Sequence, residues 1–143
     1  MKRIALSVVS MQVLGALWYS PVLFLPLWVA AQGKRPEELN MSNPLPFVYS
    51  IGSSILFSVI LNAANEATGT KCAARGALRG AMLALGTTAL GVATHYGFLN
   101  LPGILILIDG GKEIVAGALA GAILAAGYEK SNVSYTGVAP ATA

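Results

Sequence analysis

Three long stretches of the chain contain no Lys, Arg, Asp or Glu: residues 4–33, 39–65 and 80–108. Each exceeds the roughly 20 apolar residues that cross about 30 Å of hydrocarbon at 1.5 Å per residue. A fourth apolar stretch follows a Pro-Gly turn near residue 103. The pattern predicts an all-α, integral membrane four-helix bundle, with helices over about residues 4–31, 46–67, 76–99 and 104–128. The polar residues 129–143 are predicted to form a flexible tail.

Composition supports a membrane location. Of the 143 residues, 55% are hydrophobic and 10% are charged, whereas about a quarter of the residues of a soluble domain are charged. The formal net charge of +3 comes from Lys and Arg that lie mainly between the predicted helices, with no basic stripe among aromatics. We therefore expect contact with the lipid bilayer and none with nucleic acid.

The Lys and Arg residues also predict an orientation, because cytoplasmic loops are enriched in them. One side of the predicted bundle carries six of them, and the other carries only Lys34 and Arg35. The six are Lys2, Arg3, Lys71, Arg75, Arg79 and Lys130. We expect a multi-pass protein of a bacterial inner membrane or an organellar membrane, with both termini on the cytoplasmic or equivalent side.

The first predicted helix contains the string Trp18-Tyr19-Ser20-Pro21. Pro21 has no backbone N–H and crowds the carbonyl of Leu17, so we expect a kink at this position. The aromatic side chains of this string have two interpretations. They form either an aromatic belt at the membrane surface or one wall of an outward-facing cavity.

Small residues recur at every fourth position of three predicted helices, which favours close helix packing in lipid. The candidate packing residues are Ser50, Ser54, Ser58, Gly76, Gly80, Gly117 and Gly121. These seams are typical of a tight bundle within one chain, and the same residues are compatible with a dimer interface.

The fourth predicted helix carries Asp109, Lys112 and Glu113 within an apolar segment. Charges at membrane depth usually pair or line water, and the spacing places both Lys112 and Glu113 beside Asp109. One ion pair would leave one carboxylate over, as a candidate proton or cation site. Helix counting places His95 at the same outer end. Two structural alternatives are a pair that snorkels to the interface and a helix break at Gly110-Gly111 with Asp109 as a cap.

The string GALWYSPVLF at residues 15–24, together with Thr94-His95-Tyr96-Gly97-Phe98 and Leu107-Ile108-Asp109-Gly110, resembles an uncharacterised family of membrane proteins, DUF1761. The resemblance covers about residues 5–128. It implies a four-helix integral membrane protein and no particular activity. Aromatic or aliphatic residues usually stand in that family where this chain has Lys112-Glu113, so the chain departs from the pattern there.

No nucleophile motif, phosphate-binding loop or metal-ligand spacing occurs in the sequence. We therefore expect no enzymatic activity, no cofactor and no metal site. The predicted function is a non-enzymatic accessory or structural subunit of a membrane assembly, or a homo-oligomer, with itself or other membrane subunits as partners. The alternative is a small-solute or proton transporter that uses Asp109, Glu113 and His95.

Overall fold

The computed structural model describes residues 1–40 and 42–133, with the backbone alone described from residue 127. All regular structure in these residues is helical. A turn of π-helix, Leu85–Ala89, joins α4 and α5 into one continuous rod. The helices are α1 (Lys2–Trp18), α2 (Leu25–Ala31), α3 (Leu45–Ala67), α4 (Ala73–Ala84), α5 (Leu90–Phe98) and α6 (Gly103–Val133).

The first helix is not the kinked rod that the sequence predicts. The helix stops at Trp18 and a new one starts at Leu25, so the kink expected at Pro21 is a six-residue interruption. Proline explains both boundaries. Pro21 cannot continue the hydrogen-bond ladder of α1, and Pro26 stands in the first turn of α2, where a missing N–H costs nothing.

The other helices begin and end within a few residues of their expected positions. The helix break considered at Gly110-Gly111 is absent, because α6 is continuous from Gly103 to Val133. The helical backbone therefore extends five residues beyond the expected end at residue 128. The rest of the predicted tail, residues 134–143, lies outside the described residues.

Two of the described helices are long and apolar enough to cross a membrane, namely Leu45–Ala67 and Ala73–Phe98. Their outward faces carry large apolar side chains, among them Val48, Leu78 and Leu90, each more than half exposed. Exposed apolar surface of this extent marks contact with a membrane or a protein partner.

Helix α6 lies at the centre of the fold and contacts α1, α3, α4 and α5. A small core forms where Leu61 of α3 meets Ala120 and Leu124 of α6, all three fully buried. α1 and α3 are joined by a buried hydrogen bond between the hydroxyls of Ser7 and Ser58, with an O–O distance of 2.9 Å. The approach of α3 to α4 is different, and it creates the candidate site.

Candidate functional site

The glycines predicted to pack helices lie between α4 and α6. A methyl group added at Gly80 would lie 1.9 Å from the carbonyl oxygen of Gly117, and one added at Gly121 would lie 2.0 Å from that of Gly76. The two backbones are therefore in direct contact. The structure thus places this seam inside the chain.

The predicted serine residues of α3 lie against α1. Ser58 bonds to Ser7, while the Gln12 amide donates to the Ser54 hydroxyl at 2.9 Å. Ser50 donates to the Gln12 side-chain oxygen at 3.2 Å. This second seam is also used within the chain, so neither seam is left free on the described surface.

Asp109 is buried, with 8% of its surface exposed, and it accepts hydrogen bonds from three aromatic residues. The Tyr19 hydroxyl donates to Oδ1 at 2.5 Å. The Tyr96 hydroxyl and the Trp28 indole donate to Oδ2 at 2.6 and 3.2 Å. Three donors compensate much of the cost of burying a carboxylate. Asp109 therefore ties three separate segments to α6.

The interruption after α1 makes this arrangement possible. It places Tyr19 at the end of α1 and turns α2 so that Trp28 also reaches α6. The Trp18 indole donates to the carbonyl oxygen of Ile108 at 3.0 Å, and the rings of Tyr19 and Trp28 meet edge to face at 5.4 Å between centroids. Trp18 and Tyr19 of the predicted aromatic wall thus lie against α6, with their polar atoms bonded to it, whereas Pro21 is exposed.

Lys112 pairs with Glu113 and not with Asp109. The Nζ–Oε1 distance is 2.5 Å, and the two side chains are 22% and 25% exposed. Adjacent helical residues point about 100° apart and do not usually meet, so the two side chains must converge to form this pair. The carboxylate left over is Asp109, which has the three aromatic donors instead.

A groove of about 920 Å³ opens between α3 and the α4–α5 rod, with α1 and α6 as its floor. Lys112 and Glu113 both line it, and so does Tyr19. The volume is at the upper end of the range of small-molecule sites, about 300–1,000 Å³. The predicted polar cluster therefore divides into a buried carboxylate beside the groove and an ion pair on its wall.

The wall of the groove is polar toward one end and apolar toward the other. Ser50 and Thr87 stand near Lys112 and Glu113 by helix position. Phe57 and Ile60 lie about two to three turns further along α3, and Leu83 lies about one turn from Thr87. Thr87 belongs to the π-helical turn, and its hydroxyl donates to the carbonyl oxygen of Leu83 at 2.7 Å. Such turns occur frequently at functional sites. The groove is thus amphipathic along its length.

Hydrogen bonds join α3 to α4 beyond the apolar end of the groove. There Arg79 Nη1 donates to the Ala64 carbonyl and to Asn65 Oδ1, both at 3.1 Å, and to the hydroxyl of Thr68. Arg79 therefore joins α4 to α3 about one turn before Leu83, and neither Arg79 nor its three partners line the groove. By the predicted orientation, this junction lies toward the cytoplasmic side.

His95 lies apart from the groove. Its side chain is exposed, and its ring centroid is 6.1 Å from that of Tyr96. The structure therefore brings together the aromatic string, Asp109, Lys112 and Glu113, but it does not add His95 to the groove.

Sequence reasoning missed three contributors to this region. Trp28 and Gln12 are not among the predicted site residues, and Thr87 has no motif around it. An available signal for Gln12 is that it is an amide within a 30-residue stretch without charges, since amides at this depth usually bond between helices. Thr87 depends on a π-helical turn that no pattern in the sequence indicates.

Comparison with known proteins gives a family and no function. No curated protein and no solved structure matches the chain significantly. A family model described as "Protein of unknown function (DUF1761)" matches residues 3–125, which include both the Asp109 cluster and the groove. The chain therefore belongs to the DUF1761 family.

Proposed function

We propose that the chain is a non-enzymatic integral membrane protein that carries a small solute through the groove. In this proposal it crosses the membrane four times, with α1 and α2 together forming the first pass. Both termini then lie on the cytoplasmic or equivalent side. The two helices of sufficient length and hydropathy and the exposed apolar faces support the membrane location.

The single exposed cysteine offers a direct test of the orientation. Cys72 lies between α3 and α4, on the proposed cytoplasmic side. A membrane-impermeant maleimide should label it in inside-out vesicles and not in intact cells, with Cys72→Ser as the unlabelled control. Labelling of intact cells alone would contradict the orientation.

The predicted accessory subunit or homo-oligomer depended on the small-residue seams. Those seams are occupied by α4 against α6 and by α1 against α3, so they no longer point to a partner. An assembly role stays a prediction without an observation of its own. The groove, in contrast, is a feature that a purely structural subunit does not need.

The observation that carries the proposal is the position of the Lys112–Glu113 pair on the groove wall. A charge near the middle of a membrane costs about 2.5–3.5 kcal/mol on insertion scales, and such residues usually mark solute or ion pathways. The pair would bind the polar part of the solute. Asp109 would act as a positioning residue, because it holds Tyr19 in place at the edge of the groove.

A carrier has to expose its site to both sides of the membrane in turn, which an accessory subunit does not. We would place a cysteine at the groove in a Cys72→Ser background, as Thr87→Cys. A charged, impermeant methanethiosulfonate should modify it in right-side-out and in inside-out vesicles. Leu90→Cys is the matched control, because this exposed position does not line the groove and would face lipid.

The outcomes separate the two functions. Modification of Thr87→Cys from both sides, with Leu90→Cys unreactive, supports transport. Modification from one side alone fits a fixed cavity, and no modification from either side means that water does not reach the groove. Both of these results would overturn the proposal.

A further inference from the structure

The charges around the groove do not balance. Asp109, Lys112 and Glu113 are two carboxylates and one ammonium group, and the stretches 4–33, 39–65 and 80–108 contribute no Lys, Arg, Asp or Glu. The formal charge at this level of the bundle is therefore one negative unit. In a low-dielectric setting such a charge interacts strongly with any cation that approaches it.

The two carboxylates differ in what a solute can reach. Asp109 is enclosed by the hydroxyls of Tyr19 and Tyr96 and by the Trp28 indole. Glu113, one helical turn further along, is a quarter exposed and lines the groove. A cation in the groove would therefore meet Glu113 directly and would feel Asp109 at longer range.

The aromatic lining favours a cation at the same place. Tyr19 lines the groove beside Glu113, and Phe47 lines it from the facing helix. The face of an aromatic ring attracts an organic cation by about 0.5–2 kcal/mol, and more strongly when water is excluded. The apolar end at Phe57 and Ile60 would accommodate a hydrocarbon body rather than a hydrated metal ion.

We propose that the solute of the groove is an amphipathic organic monocation. Its positively charged head would lie between Glu113 and the Tyr19 ring, and its apolar body would extend toward Phe57 and Ile60. This inference names the substrate class of the proposed carrier, and therefore rests on the groove being a solute site.

The test compares two ions of nearly the same shape and opposite charge. The full chain in phosphatidylcholine nanodiscs is titrated with tetraphenylphosphonium and with tetraphenylborate, and binding to protein-free nanodiscs is subtracted. We expect saturable binding of the phosphonium, at least about tenfold tighter than that of the borate, because Asp109, Lys112 and Glu113 together carry one net negative charge at this level of the bundle. Equal binding of the two ions, or tighter binding of the borate, would overturn the inference.

Two variants of the ion pair should act in opposite directions. Glu113→Gln should weaken phosphonium binding about tenfold, since it removes the carboxylate that faces the groove. Lys112→Gln should strengthen it, because the competing ammonium is gone. Glu38→Gln is the matched control in the exposed first loop and should change nothing. A fall in affinity in both Lys112→Gln and Glu113→Gln would indicate only structural damage and would count against the proposed head position.

A neutral probe separates this inference from the proposed function. N-phenyl-1-naphthylamine carries an apolar body without a charge, and a bulky Ile60→Trp variant should exclude it from the groove. If this probe binds and the phosphonium does not, the groove is a solute site and the substrate class is wrong. If neither binds, both the substrate class and the proposed solute site fail.

Discussion

Helix α4 has two neighbours, and it meets them in opposite ways. Toward α6 it presents Gly76 and Gly80, and the backbones touch. Toward α3, Leu83 of α4 and Thr87 of the following π-helical turn line a groove of about 920 Å³. The side of α4 that faces α6 is thus in backbone contact with it, whereas the side that faces α3 is joined to it by the hydrogen bonds of Arg79.

The difference follows from side-chain size. Without a hydrophobic driving force between helices in lipid, close packing requires residues that let the backbones approach, and α4 and α6 supply glycines in register. The facing side of α3 instead carries the large side chains of Phe47, Phe57 and Ile60 at the groove, which do not allow the close backbone contact that glycines allow. The comparison shows that the small residues build a close-packed frame, whereas the large ones line an open groove.

The free energy of unfolding should be most sensitive to substitution on the side of α4 that contacts α6. In Gly80→Ala the added methyl would lie 1.9 Å from the Gly117 carbonyl oxygen, and since both helices would have to separate, we expect a loss of about 3 kcal/mol or more in the free energy of unfolding. Unfolding in mixed micelles with increasing SDS measures it. Gly91→Ala is the matched control, because nothing lies within 4 Å of its added methyl. Equal effects of the two variants would contradict the sealed contact.

Substitution in the Asp109 cluster should have an intermediate effect on stability. Asp109→Asn keeps one acceptor oxygen but removes the charge that three aromatic donors share. Hydrogen bonds to charged groups contribute about 1.5–3 kcal/mol, so we expect a loss of about 2 kcal/mol in the same unfolding assay. The fluorescence of Trp28 should also change, because its indole loses a charged acceptor.

Single-donor variants sharpen this prediction. Tyr19→Phe and Tyr96→Phe each remove one hydroxyl and should each cost less than Asp109→Asn. Removal of either hydroxyl without any effect on stability would show that the hydrogen bonds to Asp109 do not hold α1 and α5 against α6.

The smallest effect on stability is expected where Arg79 of α4 bonds to α3. Arg79→Ala removes the donor to Ala64, Asn65 and Thr68, and we expect a loss of about 1 kcal/mol, since these bonds compete with water. Cysteines introduced near this end of α3 should become more reactive to aqueous reagents. Arg75→Ala, one turn earlier and exposed, should leave both readouts unchanged. An equal effect of the two arginine variants would contradict the clamp.

The frame could be predicted from the sequence, and the groove could not. Gly76, Gly80, Gly117 and Gly121 recur at a spacing that indicates close packing, although nothing in that spacing says which helix is the partner. Pro21 marks the region in which the first predicted helix is interrupted. The length of the interruption depends on how α2 packs, which is a tertiary effect.

The ion pair is the clearest example of what the pattern could not show. Spacing on a straight helix favours Asp109 with Lys112 at i, i+3, and the structure pairs Lys112 with its neighbour Glu113. The three aromatic donors already occupy Asp109, so Lys112 is free to turn toward the groove. Two of those donors, Tyr19 and Trp28, lie 90 and 81 residues away from Asp109 in the sequence.

The most direct test of the central claim is an NMR measurement of where a bound solute lies. With tetraphenylphosphonium bound to the full chain in nanodiscs, we predict intermolecular NOEs from its aromatic protons to the methyl groups of Ile60 and Leu83, which line the groove. Val59 and Leu90 are exposed but do not line it, and they should show none. NOEs to Val59 and Leu90 without NOEs to Ile60 and Leu83 would place the probe in the lipid and contradict a solute site between α3 and α4.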